Sequence, residues 1–337
     1  MTAATRQGDN STGGDAMSTG RRALVTDAGA VLAAVVTHLE QAGVAVTVLE
    51  PGATSAEAAA RAADVPVVII GLLPFGADEI AALRETRLLI RAGIGYDIVD
   101  VDAATGAGIW VANVPDFCVD EVADHTMLLL AAAMRRLPSS LDMWRAAGRW
   151  AVIPDLPPMH RMRGRRLGLV GLGRIGRQVA ARARGFGWEV VAHDPFVAAG
   201  SATDVEFVPL DELLGTCDAI SLHCPLTPET EHLLDAARLD LLRDGTVVVN
   251  TSRGGLVDLD ALHDAVVRGK VGVAALDVLD GEPLPDLDHP LLALDNVIVT
   301  PHVAWFSADA QVELARATAD EALRFFDGER PRNLINP

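Results

Sequence analysis

Short β-type runs alternate with helical stretches along most of the chain, and this alternation limits the possible folds more than any other feature. Residues 21–115 contain five such runs: RALVTD, VAVTVLE, VPVVII, LLIRAG and IWVANVP. From residue 166 six more follow: LGLVG, EVVAHD, AISLHC, TVVVNT, VGVAALDV and NVIVTP. Strands connected through helices pair in parallel. The sequence therefore predicts an α/β protein, with one doubly wound parallel sheet of six strands in its second half.

The length of 337 residues suits two domains better than one core. The two sets of strands are joined by residues 120–137, DEVADHTMLLLAAAMRRL, which begin with acidic and end with basic side chains. This charge pattern predicts one helix, which we expect to stop at Pro138. The first 20 residues are small and polar, and we expect them to form a disordered leader.

The overall composition excludes several classes of protein. A formal charge of −18, with acids spread along the chain, disfavours nucleic-acid binding, which needs clustered Lys and Arg. The longest apolar run, residues 65–75, is too short to cross a membrane and contains a proline. No secretory signal is recognisable. The three cysteines lack metal-ligand spacing and fit a reduced protein, so we expect a cytoplasmic protein without a metal site.

The run GLVGLGRIGRQVAARA carries a G-x-G-x-x-G pattern formed by Gly171, Gly173 and Gly176. The pattern follows an apolar strand and opens a helix, as in dinucleotide-binding turns, although the pattern by itself also fits a structural glycine turn. The next strand ends in Asp194, whose carboxylate can bind ribose hydroxyls and would repel a 2′-phosphate. The alternative is that Asp194 only caps a turn before Pro195. We interpret the motif as a site for NAD(H) rather than NADP(H).

In an open α/β sheet, ligands bind outside the carboxyl ends of the strands. In the second half of the chain these ends carry polar or glycine-rich segments: residues 171–176, Asp194, residues 223–225, residues 251–253, Asp277 and His302. Six strands that deliver such residues to one edge are difficult to explain by packing. Cys224 alone is better interpreted as a buried strand-end thiol than as a nucleophile.

Three residues among these strand ends and loops suggest a reaction. His302 can exchange a proton with a carbonyl or carbinol oxygen near neutral pH. Glu282, in the loop after the fifth strand, could orient the imidazole and favour its protonated form. Arg253 offers a planar set of donors that suits a carboxylate. Each residue also has a simpler interpretation: a structural strand-end histidine, a solvated loop charge and a surface ion pair, respectively.

Seven motifs in order resemble the D-isomer-specific 2-hydroxyacid dehydrogenase family. They are RAGIGYDIVDV, NVPDFCVDEVADHT, GLVGLGRIG, HCPLTPET, NTSRGGLVD, AALDVLDGEP and TPHVAW. The resemblance extends from about residue 23 to residue 337. The segments PDFCVDEVADH and HVAW are most similar to the branch that contains the C-terminal-binding-protein corepressors and related bacterial dehydrogenases.

The resemblance implies roles for individual residues. Arg253 matches the arginine that binds the substrate carboxylate, Glu282 the partner of the histidine, and His302 the proton donor. The positions that match cofactor contacts are Gly171, Gly173, Arg174, Ile175, Gly176, Asp194, His223, Cys224, Pro225, Thr230, Thr251 and Asp277. The loop 92–95 matches a backbone site for the substrate carboxylate, which places Ile94 and Gly95 beside the substrate, and Trp305 is expected either to form an apolar wall or to pack in the core.

The resemblance also implies a domain order. Residues 21–117 and 305–337 form a flavodoxin-like substrate domain, and the Rossmann-type NAD domain, residues 118–304, is inserted in it. Members of the family are usually homodimers with the active site in the cleft between the domains. Because Ile94 offers no cation, we expect phosphorylated substrates to be disfavoured.

The resulting hypothesis is an NAD(H)-dependent oxidoreductase that interconverts a small 2-oxo acid and a D-2-hydroxy acid. Two alternatives remain. One is an NAD(H)-sensing protein like the corepressors, whose output is recognition of a partner. The other is oxidation of formate or phosphite on the same scaffold. The sequence does not identify the substrate.

Overall fold

The computed structural model describes residues 20–27, 29–147, 159–197, 205–282 and 287–336. Contacts divide the chain into two compact units, Met1–Phe117 with Gln311–Pro337, and Cys118–Ala310. The second boundary therefore lies inside a helix, later than the position 305 that the sequence suggested. The expected leader, apart from Gly20, lies outside the described residues.

The first unit contains a five-stranded parallel sheet within its described residues. Its strands are β1 (Arg22–Val25), β2 (Ala45–Val48), β3 (Val67–Ile70), β4 (Leu88–Arg91) and β5 (Trp110–Asn113), in the order β2-β1-β3-β4-β5. Its first helices are α1 (Ala30–Gln41), α2 (Ser55–Ala62), α3 (Ala77–Ala81) and α4 (Val101–Gly106). Every residue of β3 is buried, because helices cover both faces of the sheet. This order is the flavodoxin-like one, as the family resemblance implied.

The second unit contains a parallel sheet of seven strands in its described residues. They are β6 (Arg166–Val170), β7 (Glu189–His193), β8 (Glu206–Phe207), β9 (Ala219–Leu222), β10 (Thr246–Asn250), β11 (Val271–Leu276) and β12 (Val297–Val299). Their order is β12-β11-β10-β9-β6-β7-β8. The predicted doubly wound sheet is confirmed, but the predicted number of six strands is wrong. The added strand, β8, has only two residues, which is too few for a periodic pattern.

Helices cover both faces of this second sheet. They are α5 (Val119–Met134), α6 (Leu137–Ala147), α7 (Arg174–Gly185), α8 (Leu210–Thr216), α9 (Ala236–Leu241) and α10 (Leu259–Val267). Along β10, Val247 and Val249 pack in the core with α5 and α7, while Val248 packs in the opposite core with α8, α9 and α10. A sheet buried on both faces presents its ligand-binding residues at the carboxyl ends of the strands.

The predicted single helix over residues 120–137 is two helices. Helix α5 ends at Met134, and α6 begins at Leu137 with Pro138 in its first turn. Arg136, between them, has a left-handed φ of 49° and donates to the carbonyl of Gly272 at 2.6 Å. Proline is compatible with the first turn of a helix, where its missing N–H has no partner to lose. Pro138 therefore belongs to the beginning of a helix rather than to its end.

The end of the chain returns to the first unit through helix α11, which spans Ala308–Phe326. After this helix, the backbone N–H of Ile335 donates to the carbonyl of Val111 in β5 at 2.8 Å. The side chain of Asn336 accepts the Val111 N–H, also at 2.8 Å. The last residues thus satisfy backbone groups on the open edge of β5, where no further strand pairs in the described residues.

The helices of the described ranges include none that is long and apolar enough to span a membrane. The 19-residue helix α11 illustrates the reason. Glu313, Arg316 and Asp320 form ion pairs on one of its faces, and such charges are too costly to place in a bilayer.

Candidate active site

The turn between β6 and α7 needs glycine at two positions, because other backbone segments pass very close to it. Gly171 has a φ of +97°, and a Cβ there would lie 2.7 Å from the carbonyl carbon of His223. A Cβ on Gly176 would overlap the carbonyl oxygen of Gly171. Both positions therefore exclude larger residues because of the protein's own backbone, next to the carboxyl ends of the paired strands β6 and β9.

Gly173 differs from its two neighbours in the motif. It is the N-cap residue of α7, and a Cβ on it would meet no protein atom within 4 Å. The helix begins with Arg174, an exposed residue, and Ile175, which packs on the core under α7. A helix N-terminus with open space in front of it suits the pyrophosphate of a dinucleotide, because its N–H groups point outward. The glycine at 173 thus fits a cofactor better than it fits a packing requirement.

Asp194, at the end of β7, lies over the glycine turn. Its Oδ2 accepts the N–H of Leu172 at 2.8 Å, and its Oδ1 accepts the N–H of Phe196 at 2.9 Å. Asp194 therefore does cap the turn that contains Pro195. Each carboxylate oxygen can accept a second hydrogen bond, so acceptor sites remain for ribose hydroxyls. The ribose contact itself stays a prediction.

The loop after β9 carries four of the residues that match cofactor contacts. Burial lowers the pKa of His223 to about 4, and its Nε2 hydrogen-bonds Ser221 Oγ at 2.9 Å. Burial raises the pKa of the Cys224 thiol to about 11. Thr230 closes the loop by donating its hydroxyl to the carbonyl of Pro225 at 2.7 Å. His223 is therefore neutral and Cys224 a protonated thiol, so neither acts as acid, base or nucleophile near pH 7.

Thr251, at the end of β10, is tied to helix α5. Its Oγ1 lies 2.8 Å from Oγ1 of Thr126, which is fully buried. Thr126 donates its only hydroxyl proton to the carbonyl of Val122 at 2.7 Å. Thr251 must therefore donate to Thr126, which leaves the lone pairs of the Thr251 oxygen for another donor. The sequence analysis assigned no role to Thr126.

Arg253 stands on a turn that packs closely against the loop after β11. The carbonyl of Arg253 accepts a hydrogen bond from the Asn250 side chain at 2.8 Å. A Cβ on the next residue, Gly254, would overlap the backbone of Leu279 and Asp280. This contact brings the Arg253 turn beside the loop that carries Glu282. It also explains the glycine that follows Arg253 in the sequence.

His302 and Glu282 form a hydrogen-bonded pair. Nδ1 of His302 contacts Oε2 of Glu282, and the second oxygen, Oε1, accepts the N–H of Leu279 at 2.7 Å. Burial by itself raises the pKa of Glu282. The hydrogen bond and charge of His302, followed by the Leu279 N–H and the charge of Arg253, outweigh burial and hold that pKa below its ordinary value. Glu282 is therefore an ionised acceptor that fixes the imidazole through Nδ1.

The other ring nitrogen of His302 is available to a ligand. The His302 side chain is 43% exposed, against 28% for Glu282, and its Nε2 has no hydrogen-bond partner among the described residues. The backbone of His302 is left-handed, with a φ of 52°. A non-glycine residue holds this conformation only where its surroundings enforce it, and such residues are frequent at active sites.

Asp277 holds much of the His302 loop in place through hydrogen bonds. Its carboxylate is fully buried and accepts the N–H groups of Val303 at 3.0 Å and Ala304 at 2.9 Å. It also accepts the hydroxyl of Thr300. Its backbone carbonyl accepts the N–H of His302 at 2.8 Å. Asp277 thus holds the whole loop that carries His302. The cofactor contact assigned to it from the family resemblance stays a prediction.

The four residues expected at the substrate fall in different units. Arg253 and Trp305 belong to the second unit, and Ile94 and Gly95 to the first. Trp305 is half-buried and its ring contacts that of Phe306 edge-on, with centroids 5.5 Å apart. The carbonyl of Ile94 accepts the Asn113 side chain at 2.6 Å. Their common role at a substrate remains a prediction.

Comparison with known proteins agrees with this arrangement. The family model described as "D-isomer specific 2-hydroxyacid dehydrogenase, NAD binding domain" matches residues 127–304. A glyoxylate reductase of Korarchaeum cryptofilum is 39% identical over 267 residues, which are 78% of this chain and 80% of that protein. A D-3-phosphoglycerate dehydrogenase of Archaeoglobus fulgidus is 38% identical over 272 residues, 80% of this chain and 51% of that protein. The chain spans about half the length of the phosphoglycerate dehydrogenases that it matches.

Solved structures are similar over nearly the whole chain. The TT0316 protein from Thermus thermophilus has a TM-score of 0.82 and 34% identity, covering 93% of this chain and 99% of that one. A D-lactate dehydrogenase from Aquifex aeolicus, solved with NAD and lactic acid, has a TM-score of 0.84 over 94% of this chain and 99% of that one. Because the identity is only 24%, this similarity is evidence for the fold alone. The similarity to the corepressor branch stays a prediction. The chain belongs to the D-isomer-specific 2-hydroxyacid dehydrogenase family and carries the family's NAD-binding domain.

Proposed function

We propose that the chain catalyses the NAD(H)-dependent interconversion of a small 2-oxo acid and a D-2-hydroxy acid, with His302 as the acid and base. The pair formed by His302 and Glu282 is the observation that carries this proposal. One imidazole nitrogen is held by an ionised carboxylate and the other is open. The pair stands at the same edge of the sheet as the glycine turn of a dinucleotide site.

In this mechanism His302 transfers the proton, while Glu282 and Arg253 orient the reacting groups. In the reducing direction, protonated His302 donates the proton on Nε2 to the carbonyl oxygen of the substrate. Glu282 stabilises the imidazolium before the transfer and keeps the ring in one orientation afterwards. Arg253 binds the substrate carboxylate through its planar guanidinium, so that the carbonyl is presented to His302. In the oxidising direction, neutral His302 accepts the hydroxyl proton.

The residues of the second unit fit a nicotinamide dinucleotide. The open space at Gly173 and the N-terminus of α7 would hold the pyrophosphate, and Asp194 would bind the adenosine ribose. Thr251 and the loop 223–230 would line the nicotinamide half. The cofactor supplies the hydride for the carbonyl carbon. Neutral His223 and protonated Cys224 are not suited to move a proton near pH 7, whereas His302 has an exposed imidazole for that step.

The substrate in this proposal is a small acid without a phosphate group. Ile94 provides no cation for a second negative charge, and Trp305 would form an apolar wall. The glyoxylate reductase of Korarchaeum cryptofilum, of which the chain covers 80%, agrees with a short 2-oxo acid. We place the protein in the cytoplasm as a homodimer, by analogy with the family.

The test is a panel of 2-oxo acids, in which the loss of NADH absorbance reports turnover. We expect at least one short, unphosphorylated acid to be reduced, and the His302→Gln variant to lose that activity. Tight NADH binding without turnover of any acid would favour an NAD(H)-sensing protein. Reduction of NAD⁺ by formate or phosphite, with no activity on hydroxy acids, would assign the site to those reactions.

A further inference from the structure

Helix α5 places a second histidine close to the loop that carries His302. His125 lies on the side of α5 that faces the end of β11, and its side chain is only 16% exposed. Its Nε2 is 3.0 Å from Oγ1 of Thr300 and 3.5 Å from Oδ1 of Asp277. These two partners are the residues that fix the start of the His302 loop. The proposed function leaves His125 without a role.

The hydrogen atoms in this cluster can be assigned from the chemistry of the groups. The carboxylate of Asp277 accepts two backbone N–H groups, one on each oxygen. Thr300 has one hydroxyl proton and gives it to Asp277. The Thr300 oxygen can then only accept from His125, so Nε2 of His125 carries a proton. The order of donation therefore runs from His125 to Thr300 to Asp277.

Asp277 in turn holds the strained part of the loop. Its carbonyl accepts the N–H of His302, where φ is 52°. Its carboxylate accepts the N–H groups of the next two residues. A shift of this carboxylate would release the left-handed backbone and move the imidazole away from Glu282. From α5, His125 contacts both this carboxylate and the Thr300 hydroxyl that donates to it.

We propose that His125 is a positioning residue for the acid–base reaction, acting through Thr300 and Asp277 on the backbone of His302. The proposal rests on the proposed function, because it assigns His125 to the geometry of that same proton transfer. It requires a donor at the position of Nε2 and nothing else from the imidazole. A positive charge on His125 is not needed.

This requirement can be tested with two amides of different length. In His125→Gln the amide nitrogen can reach the position of Nε2, whereas in His125→Asn it reaches only the position of Nδ1. His125→Leu removes the donor and keeps the volume. We expect the Asn and Leu variants to lower kcat for the best 2-oxo acid about 3- to 10-fold, as for one lost buried hydrogen bond. The Gln variant should retain most of the wild-type kcat.

The dissociation constant of NADH, measured by fluorescence, and the thermal midpoint separate positioning from other roles. We expect the NADH dissociation constant to change by no more than kcat does in each of the three variants, and the Gln and Asn variants to have similar midpoints. His263→Gln, on α10, serves as the matched histidine control and should behave as the wild type. Equal kcat losses in the Gln and Asn variants would overturn the proposal, as would wild-type kcat in the Leu variant. A weakened NADH affinity at unchanged kcat would overturn it as well.

A second measurement keeps the proposal independent of the enzymatic assay. The imidazole C–H resonances of His302, assigned by their loss in His302→Gln, report the environment of the ring. We expect them to keep their wild-type positions in His125→Gln and to shift in His125→Asn and His125→Leu. If the wild type reduces no 2-oxo acid, the proposed function fails, but these resonances still decide whether His125 positions His302. Unchanged resonances in all three variants would overturn the positioning role.

Discussion

The N–H of His302 donates to the carbonyl of Asp277 at 2.8 Å, and this bond joins the ends of β11 and β12. Because both strands belong to the central sheet of the second unit, the position of His302 is set by the sheet rather than by a flexible loop. The carboxylate of Asp277 adds bonds to the next two residues. In the proposed mechanism, a proton donor held in this way needs little reorganisation before it reacts.

Replacement of His302 by Gln should lower kcat by a factor of about 10² to 10⁴, because general acid catalysis is lost. NADH binding should remain near that of the wild type, since His302 contacts Glu282 and its own loop rather than the glycine turn. Steady-state turnover and NADH fluorescence give the two values. A variant with near-normal turnover would remove His302 from the mechanism.

Replacement of Glu282 by Gln should have a smaller effect, about 10-fold on kcat. The amide oxygen can still accept the Nδ1 proton of His302, but it brings no negative charge to the imidazolium, and the amide nitrogen cannot replace Oε1 as the acceptor of the Leu279 N–H. Glu282→Leu removes both the hydrogen-bond acceptor and the negative charge. The difference between the Gln and Leu variants therefore measures the contribution of the hydrogen bond to His302. We expect the Leu variant to be the weaker enzyme, and equal activity of the two variants would show that the hydrogen bond contributes nothing.

Replacement of Gly173 by Ala should weaken NADH binding without loss of stability. The new Cβ meets no protein atom within 4 Å, so the fold has room for it, but it enters the space in front of α7. In Gly176→Ala the same methyl group overlaps the carbonyl of Gly171 and should destabilise the fold. NADH titration and urea denaturation measure the two effects. Undiminished NADH affinity in Gly173→Ala would place the pyrophosphate elsewhere.

Replacement of Gly254 by Ala should disturb the site by separating two loops. The methyl group would overlap the backbone of Leu279 and Asp280, so the Arg253 turn and the Glu282 loop must move apart. We expect a loss of about 1–3 kcal/mol in the free energy of unfolding, together with reduced kcat. Gly185→Ala, at the end of α7 where a Cβ meets nothing within 4 Å, is the matched control. It should be neutral or stabilising by about 0.5–1 kcal/mol.

The neutral state of His223 predicts a loss of stability in mild acid. Burial lowers the pKa of His223 from 6.5 to about 4. Between these two values the unfolded chain binds a proton at this residue that the folded chain does not, so stability falls as the pH decreases. The cost saturates below the lower pKa, at no more than about 3 kcal/mol.

His223→Gln should remove this part of the pH dependence. The amide can still hydrogen-bond the Ser221 hydroxyl, and it does not titrate. Urea denaturation at about pH 7 and about pH 5 compares the two proteins, and the wild type should lose more stability over that interval. Parallel losses in the wild type and the variant would show that the ring protonates without cost in the folded state.

Much of the site could be predicted because its residues lie in short segments at strand ends. The spacing of Gly171, Gly173 and Gly176 determines a turn and the start of a helix within a few residues. The alternation of strands and helices determines that the segments following the strands gather at one edge of a parallel sheet. His302 and Glu282 follow neighbouring strands, β12 and β11, so their meeting depends mainly on topology.

Other features depend on contacts between distant segments, which no local pattern records. The backbone of Gly254 meets that of Leu279, and Thr126 on α5 meets Thr251. The division of the predicted helix at Arg136 depends on a bond to Gly272, and the two-residue strand β8 forms only because β7 is beside it. The sequence by itself thus determined the α/β class, the dinucleotide turn and the pairing of Glu282 with His302. Only the tertiary structure decided that Asp277 holds the His302 loop and that His125 stands behind it, because these roles depend on how helix α5 packs against the sheet.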